Sequence, residues 1–196
     1  MKRDTADLRA SLQRLAAAQA GYFTAAQALK IGYSYPAQLY HQRRGDWARV
    51  DRGIYRLPAW PVTENADLVR WSLWSRNRGV VSHETALAVH GLGDVLPAKV
   101  HLVVPVTFRS TDPTVVLHRT PLPDEDIEDR DGFRVTTPIR SILDVATTID
   151  VDRLAGVIHD GVDHGVVTPG RLRARTDEFG PSAALAIERA LRQEDL

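Results

Sequence analysis

The stretch TAAQALKIGYSYPAQLYHQRRGDWARVDRGIYRL, residues 24–57, decides the fold. Thr24 is a natural N-cap, because its hydroxyl can accept from the free amides of a first helical turn, and it opens a short helix over Ala25–Lys30. Gly32 reads as the turn residue that follows. Ser34 caps again, and Pro36 sits early in the next helix, where a missing N–H costs little. That helix, roughly Tyr35–Arg44, stops at Gly45, a natural left-handed C-terminal position. Two short helices joined by a tight glycine-containing turn form a helix-turn-helix. Behind it, Trp47–Val50 and Ile54–Leu57 are β-prone runs flanking Asp51-Arg52-Gly53, so a hairpin follows and ends at Pro58. A hairpin in that place is a wing.

Upstream, Leu8, Leu12, Leu15 and Ala16 trace one helical stripe, predicting an amphipathic helix over about residues 5–19 that Gly21 ends. Tyr22 and Phe23 then read as an extended link or a first strand. Downstream, Pro58–Pro61 reads as a stiff boundary. The expected fold class is therefore α+β: an N-terminal winged helix-turn-helix over residues 1–60, then a mixed α/β C-terminal domain over 61–196. In that second region helices are expected at Glu64–Arg78, Ser82–His90, Thr137 onward, 151–163, 168–175 and 181–193. Strands are expected at Val80-Val81, Val100–Val104, Val115–Arg119 and Phe133–Thr136. The acidic run from Asp124 to Asp131 reads as a solvated loop, whose charge would also suit a basic partner or keep the region off DNA.

Net charge is zero over the 196 residues, but its distribution is lopsided. Residues 1–60 hold ten Lys/Arg against four Asp/Glu, and the remainder holds 15 against 21, so a basic end is joined to an acidic one. That asymmetry suits a protein of which one end meets phosphate. A reading helix needs amides, hydroxyls, imidazoles and guanidiniums that reach base edges. With Leu39 and either Ala37 or Tyr40 turned inward, the exposed readers are expected to be Ser34, Tyr35, Gln38, His41 and Gln42. Arg43, Arg44, Arg49, Arg52 and Arg56 are expected to supply phosphate charge, with Arg52 best placed at the wing tip.

Other chemistries are poorly supported. There is no cysteine, which removes disulfides and thiolate catalysis and fits a reducing cytoplasm. No apolar run is long enough to span a bilayer and no secretory leader is evident, so a cytoplasmic location without membrane contact is expected. His83-Glu84 invites a zinc-protease reading, but the second histidine of H-E-x-x-H would fall at Leu87; His90 shares a face with His83 without an evident third ligand. His159, Asp160, Asp163 and His164 read as a solvated helix end. The acidic-x-lysine pair of many nucleases is missing, since Ala28 and Pro97 stand two residues before Lys30 and Lys99. No phosphate-cradling glycine loop appears either. The chain is accordingly expected to be no enzyme, with no metal and no cofactor.

Three blocks carry a family resemblance. GYFTAAQA with the RVDRGIYRL block, then VVSHETALAVHGL with KVHLVVP, then RVTTPIRSILD, resemble AbiEi-family antitoxins over about residues 10–165. The resemblance implies a transcriptional autorepressor that binds double-stranded DNA at inverted repeats upstream of its own operon. It further implies the antitoxin of a bicistronic locus that counters a nucleotidyltransferase-like toxin, without a stable complex between the two. Residues 62–196 would carry the antitoxin role, and the N-terminal domain repression. Because a single motif reads only a few base pairs, two copies on repeated half-sites are expected, as a monomer or a DNA-assembled dimer. The alternatives are a protein-interaction module and a stand-alone regulator without antitoxin activity.

Overall fold

The structure, a computed structural model, describes residues 4–193. These fall into two compact units: one reaches Arg78 and takes in Asp129–Phe133, and the other holds Gly79–Glu128 and the chain from Arg134.

The first unit begins with α1 (Thr5–Ala17), opened by Asp4, and continues through β1 (Tyr22–Thr24), α2 (Ala25–Ile31) and α3 (Tyr35–Arg43). The hairpin β2 (Ala48–Asp51) and β3 (Ile54–Arg56) follows, then α4 (Ala66–Trp74). Thr24 and Gln27 form a reciprocal capping box: the Gln27 amide donates to Thr24 Oγ1 at 3.1 Å, and the Thr24 amide to Gln27 Oε1 at 2.7 Å. Gly32 closes α2 at φ 127°, a conformation in which a Cβ is strained, and its N–H reaches back to the carbonyls of Ala28 and Leu29. The strands pair in the order β1-β3-β2, with Arg56 between Tyr22 and Ala48 and a bulge between Arg49 and Asp51. Gly53 turns the hairpin at φ 72°, and its carbonyl accepts from the Ala25 amide at 2.8 Å, fixing the base of the wing to the start of α2.

The core of this unit is aromatic. Phe23, Tyr33 and Trp47 are buried with Leu12, Ala16 and Ala28. The Trp47 ring meets Phe23 edge-on at 4.8 Å and Tyr33 at 5.0 Å. The Pro58–Pro61 stretch, expected to separate domains, is instead a turn within the unit. Arg56 Nη2 donates to the carbonyls of Trp60 at 2.7 Å and Pro61 at 3.0 Å, and α4 packs on β1 and β3, so the compact unit runs on to Arg78.

The second unit holds most of a five-stranded sheet: β4 (Val80–Val81), β5 (Val100–Val104), β6 (Val115–Arg119), β7 (Ile127–Arg130) and β8 (Phe133–Thr136), in the order β6-β5-β4-β8-β7. β4 runs antiparallel to β5 and parallel to β8, while β5 and β6 are parallel. Its helices are α5 (His83–His90), α6 (Pro138–Val145), α7 (Val151–Asp163), α8 (Pro169–Arg173) and α9 (Pro181–Gln193). Thr137 and Pro138 open α6 as the cap-plus-proline pattern predicts, with Thr137 Oγ1 accepting from the Arg140 amide. Leu87, Leu92, Ile142, Leu154, Ile158, Leu172, Ile187 and Leu191 form the core, each fully buried and worth roughly 1.5–3 kcal/mol of hydrophobic transfer. Ser82, expected to cap α5, makes no such bond; its Oγ lies 3.0 Å from His83 Nδ1.

The acidic run departs most from expectation. It is no loop: Asp124–Asp126 form a 3₁₀ turn and Ile127–Arg130 are the strand β7. Asp126 is fully buried, held by Arg175 through both carboxylate oxygens and by Arg140 Nη1 at 3.0 Å. Residues 124–131 therefore supply the anion of a buried charge network.

Candidate nucleic-acid interface

Helix α3 presents one face outward. Tyr35 is 69% exposed, Leu39 46% and Tyr40 54%, with Ser34, Pro36, Arg43 and Arg44 also at the surface. The opposite face holds Ala37, Gln38 and His41. The expected reading face was therefore rotated: Leu39 and Tyr40 point out, and Gln38, at 2% exposure, points in. The Gln38 side-chain amide is fully occupied, donating to the carbonyl of Ala25 at 3.2 Å and of Tyr33 at 3.1 Å. It holds the start of α2 and the inter-helix turn against α3, so it is a positioning residue of the motif and not a base reader. Gln38→Ala is expected to lower stability by about 1–3 kcal/mol in urea unfolding, by stranding those carbonyls, while the DNA affinity of the folded fraction changes little.

His41 is likewise a structural side chain. Its ring stacks on Trp47 at 5.0 Å, and Nδ1 lies 2.9 Å from Asp46 Oδ2. The hydrogen bond from His41, with Arg44 nearby, holds the Asp46 carboxyl below the usual range. Gln42 is half-buried at the edge of the outward face. The outward side chains that remain, Tyr35, Leu39 and Tyr40, suit apolar contact with thymine methyls and hydrogen bonding through phenol hydroxyls. Polarity alone favoured Gln38 over Leu39 as a reader; the signal that would have corrected this is the placement of Gln38 one turn past Ser34, beside the free carbonyls of the inter-helix turn.

The arginines divide by what already occupies them. The Arg43 and Arg52 side chains have no ion pair or side-chain hydrogen bond among the described residues, and both are exposed, Arg52 at the wing turn. Arg49 is exposed on β2 with a long bond from Nε to its neighbour's carbonyl, Asp51 O, at 3.3 Å. Arg44 is tied loosely at the surface, Nη1 donating to Tyr40 Oη at 2.9 Å. Arg56 is committed to Trp60 and Pro61 and lies over the Tyr22 ring at 5.5 Å, so its guanidinium braces the turn after the wing.

In the second unit, the His83–His90 pair does not assemble: His90 Nε2 lies 2.7 Å from the carbonyl of Thr136. Asp160 accepts from the Gly93 amide at 2.7 Å, and His159 and Asp163 form an exposed pair at 3.3 Å. His83 instead meets His101 and His118, a grouping that no linear spacing announces, because it needs α5, β5 and β6 side by side. Burial, then the neighbouring charges of His118, His101 and Arg140, lowers His83 to about 3. Burial, then His101, lowers His118 to about 4, and burial also lowers His101. Burial thus favours the neutral form of all three imidazoles. His83 adopts φ 53°, a left-handed conformation that costs a non-glycine residue of order 1–3 kcal/mol and is enriched at functional positions.

The two short helices and the three-stranded wing sheet together define the first unit as a winged helix-turn-helix. Residues 11–58 match the family model described as "Transcriptional regulator, AbiEi antitoxin". No curated protein matches. Among solved structures, the RV2827C protein from Mycobacterium tuberculosis is similar in fold with a TM-score of 0.62 and 15% identity, over 97% of this chain and 79% of that one. Among the described residues no helix is long and apolar enough to cross a membrane.

Proposed function

We propose that the protein is a DNA-binding transcriptional autorepressor, reading inverted repeats upstream of its own operon with α3 and the wing. The observation that carries this is the set of unoccupied cations, Arg43 at the end of α3 and Arg52 at the wing turn, flanking the outward Tyr35–Leu39–Tyr40 face. Ser34 and Gln42 border that face, and Arg44 and Arg49 add charge beside it; Arg56 contributes by holding the wing. Two copies occupy the two half-sites, either pairing only on DNA or as a dimer. In the same reading the protein acts in the cytoplasm, without enzymatic activity, as the antitoxin of a bicistronic locus whose toxin resembles a nucleotidyltransferase. The second unit carries the antitoxin role.

Mobility shift with the protein's own upstream DNA at low and moderate salt tests the repressor reading. Affinity should fall steeply as salt rises. Arg43→Ala and Arg52→Ala should each weaken binding to all sequences alike and reduce the slope of log K against log salt by about 0.9 per lost phosphate contact. Leu39→Ala should change the preferred base at one position instead. Absent or salt-insensitive binding sinks the reading. It would favour a protein-contact role for α3, for which the exposed Tyr35, Leu39 and Tyr40 are the supporting observation. Co-expression with the product of the neighbouring gene tests the antitoxin half.

A further inference from the structure

The second unit brings three histidines together from separate elements. His83 stands at the head of α5, directly after β4; His101 and His118 stand on the parallel strands β5 and β6. In that register His101 faces Val116 and Val103 faces His118, so the two histidines are offset diagonally by one side-chain repeat on the same face. His101 Nδ1 lies 3.2 Å from His118 Nε2, and the His83 ring lies parallel to His118 with centroids 3.5 Å apart. One ring nitrogen from each residue falls within a set whose members are at most 4.8 Å apart. Four ligands around zinc at Zn–N of roughly 2.0–2.1 Å are separated by about 3.3 Å, so the His101–His118 edge already has the required length.

Behind the histidines stands a carboxylate. Asp144 on α6 has a side chain only 5% exposed; its Oδ1 accepts from Arg140 Nε at 2.8 Å, and its Oδ2 has no hydrogen-bond partner. That oxygen is 3.8 Å from His83 Nδ1. A buried carboxylate oxygen without a donor is a costly feature. It has a reason if His83 keeps its proton on Nδ1, toward Ser82 and Asp144, and offers Nε2 to an ion. Carboxylate behind imidazole behind metal is the usual way in which a ligating histidine is oriented. Arg140 divides its charge between Asp144 and Asp126, and Asp126 is also held by Arg175.

We propose that His83, His101 and His118 bind one divalent transition-metal ion of the zinc type, with Asp144 as the carboxylate that orients His83. Three neutral imidazoles suit zinc, cobalt or nickel and disfavour magnesium or calcium, which take oxygen ligands. Each of the rings is partly exposed, so an ion has a route in and a water completes the coordination. The site is independent of the DNA-binding reading, because all four residues belong to the second unit.

The test uses the full-length chain, free of any affinity tag, stripped with a chelator and returned to metal-free buffer. Calorimetric titration with Zn²⁺ should show one ion per chain, and Co²⁺ should give the intense visible bands of a tetrahedral site. His118→Gln, on an edge strand where the fold tolerates the change, should abolish both signals. Asp144→Asn should weaken Zn²⁺ binding about 10–100-fold. His159→Gln, altering an exposed histidine elsewhere, should change nothing. The wild-type titration is decisive by itself: no stoichiometric uptake of Zn²⁺ or Co²⁺ overturns the proposal. Uptake that survives His118→Gln as well as it survives His159→Gln also overturns it.

Discussion

Asp126→Asn is expected to destabilise the protein by about 3–5 kcal/mol, because it removes the single anion shared by two arginines in the interior of the second unit. Asp126 is fully buried, Arg140 is 10% exposed and Arg175 23%, so water cannot replace the lost carboxylate well. Arg175 retains Glu178 at the surface, whereas Arg140 retains Asp144 and faces an amide in place of its other partner. Most of the cost therefore falls on Arg140, as an undercompensated buried cation. The pH dependence has a definite sign. Burial acts to raise the Asp126 pKa, but hydrogen bonds from Arg175 and Arg140 outweigh it and hold the carboxyl below its usual range. An acid with a depressed folded pKa contributes stability that is fully present above its unfolded value of about 3.9 and is lost as pH falls through the folded value. The gap between wild type and Asp126→Asn in urea unfolding should thus be widest near neutrality and shrink as pH falls below about 4. A constant gap from pH 7 to 3, or a loss within experimental error at pH 7, contradicts this account.

The same residue marks where sequence reading ends. Asp126 lies in the densest charge run of the chain, and charge density argues for solvent. Its partners are 14 and 49 residues away, so only the folded chain, which brings Arg140 and Arg175 onto Asp126, reveals that one charge of the run is internal. Local chemistry, by contrast, was largely legible, Ser82 being the cap that fails. Thr24, Ser34 and Thr137 cap the helices that their hydroxyls suggested, and Gly32 and Gly53 turn where turns were expected. The rotation of α3 was not, because polarity is a poor guide when a buried amide has carbonyls to satisfy, as Gln38 does. The histidine cluster was invisible for a third reason: 18 residues separate His83 from His101 and 17 separate His101 from His118, distances set by strand pairing and not by any motif. The caps and turns that defined the interface were local; the residues that tune it depend on packing.

Trp47→Ala is expected to cost about 3–5 kcal/mol. Its ring, 4% exposed, contacts Phe23, Tyr33, His41 and Tyr55 at centroid distances of 4.8, 5.0, 5.0 and 5.7 Å. Few large side chains share this core, so the neighbours cannot close over the gap. At roughly 0.05–0.15 kcal/mol per residue, a unit of this size holds about 4–12 kcal/mol in all, and the substitution removes a large part of it. The functional consequence follows from His41. That ring stacks on Trp47 from the inner face of α3, and the Trp47 backbone N–H donates to the His41 carbonyl at 3.3 Å, so the tryptophan ties the end of α3 to the first wing strand. Trp47→Phe keeps an aromatic edge toward Phe23 and should cost only about 1–2 kcal/mol. Measured at low temperature, where both variants stay mostly folded, Trp47→Ala should bind operator DNA more weakly than its folded fraction explains, while Trp47→Phe should bind as wild type does. If affinity in both variants tracks the folded fraction alone, then Trp47 supports the core without setting the angle between α3 and the wing.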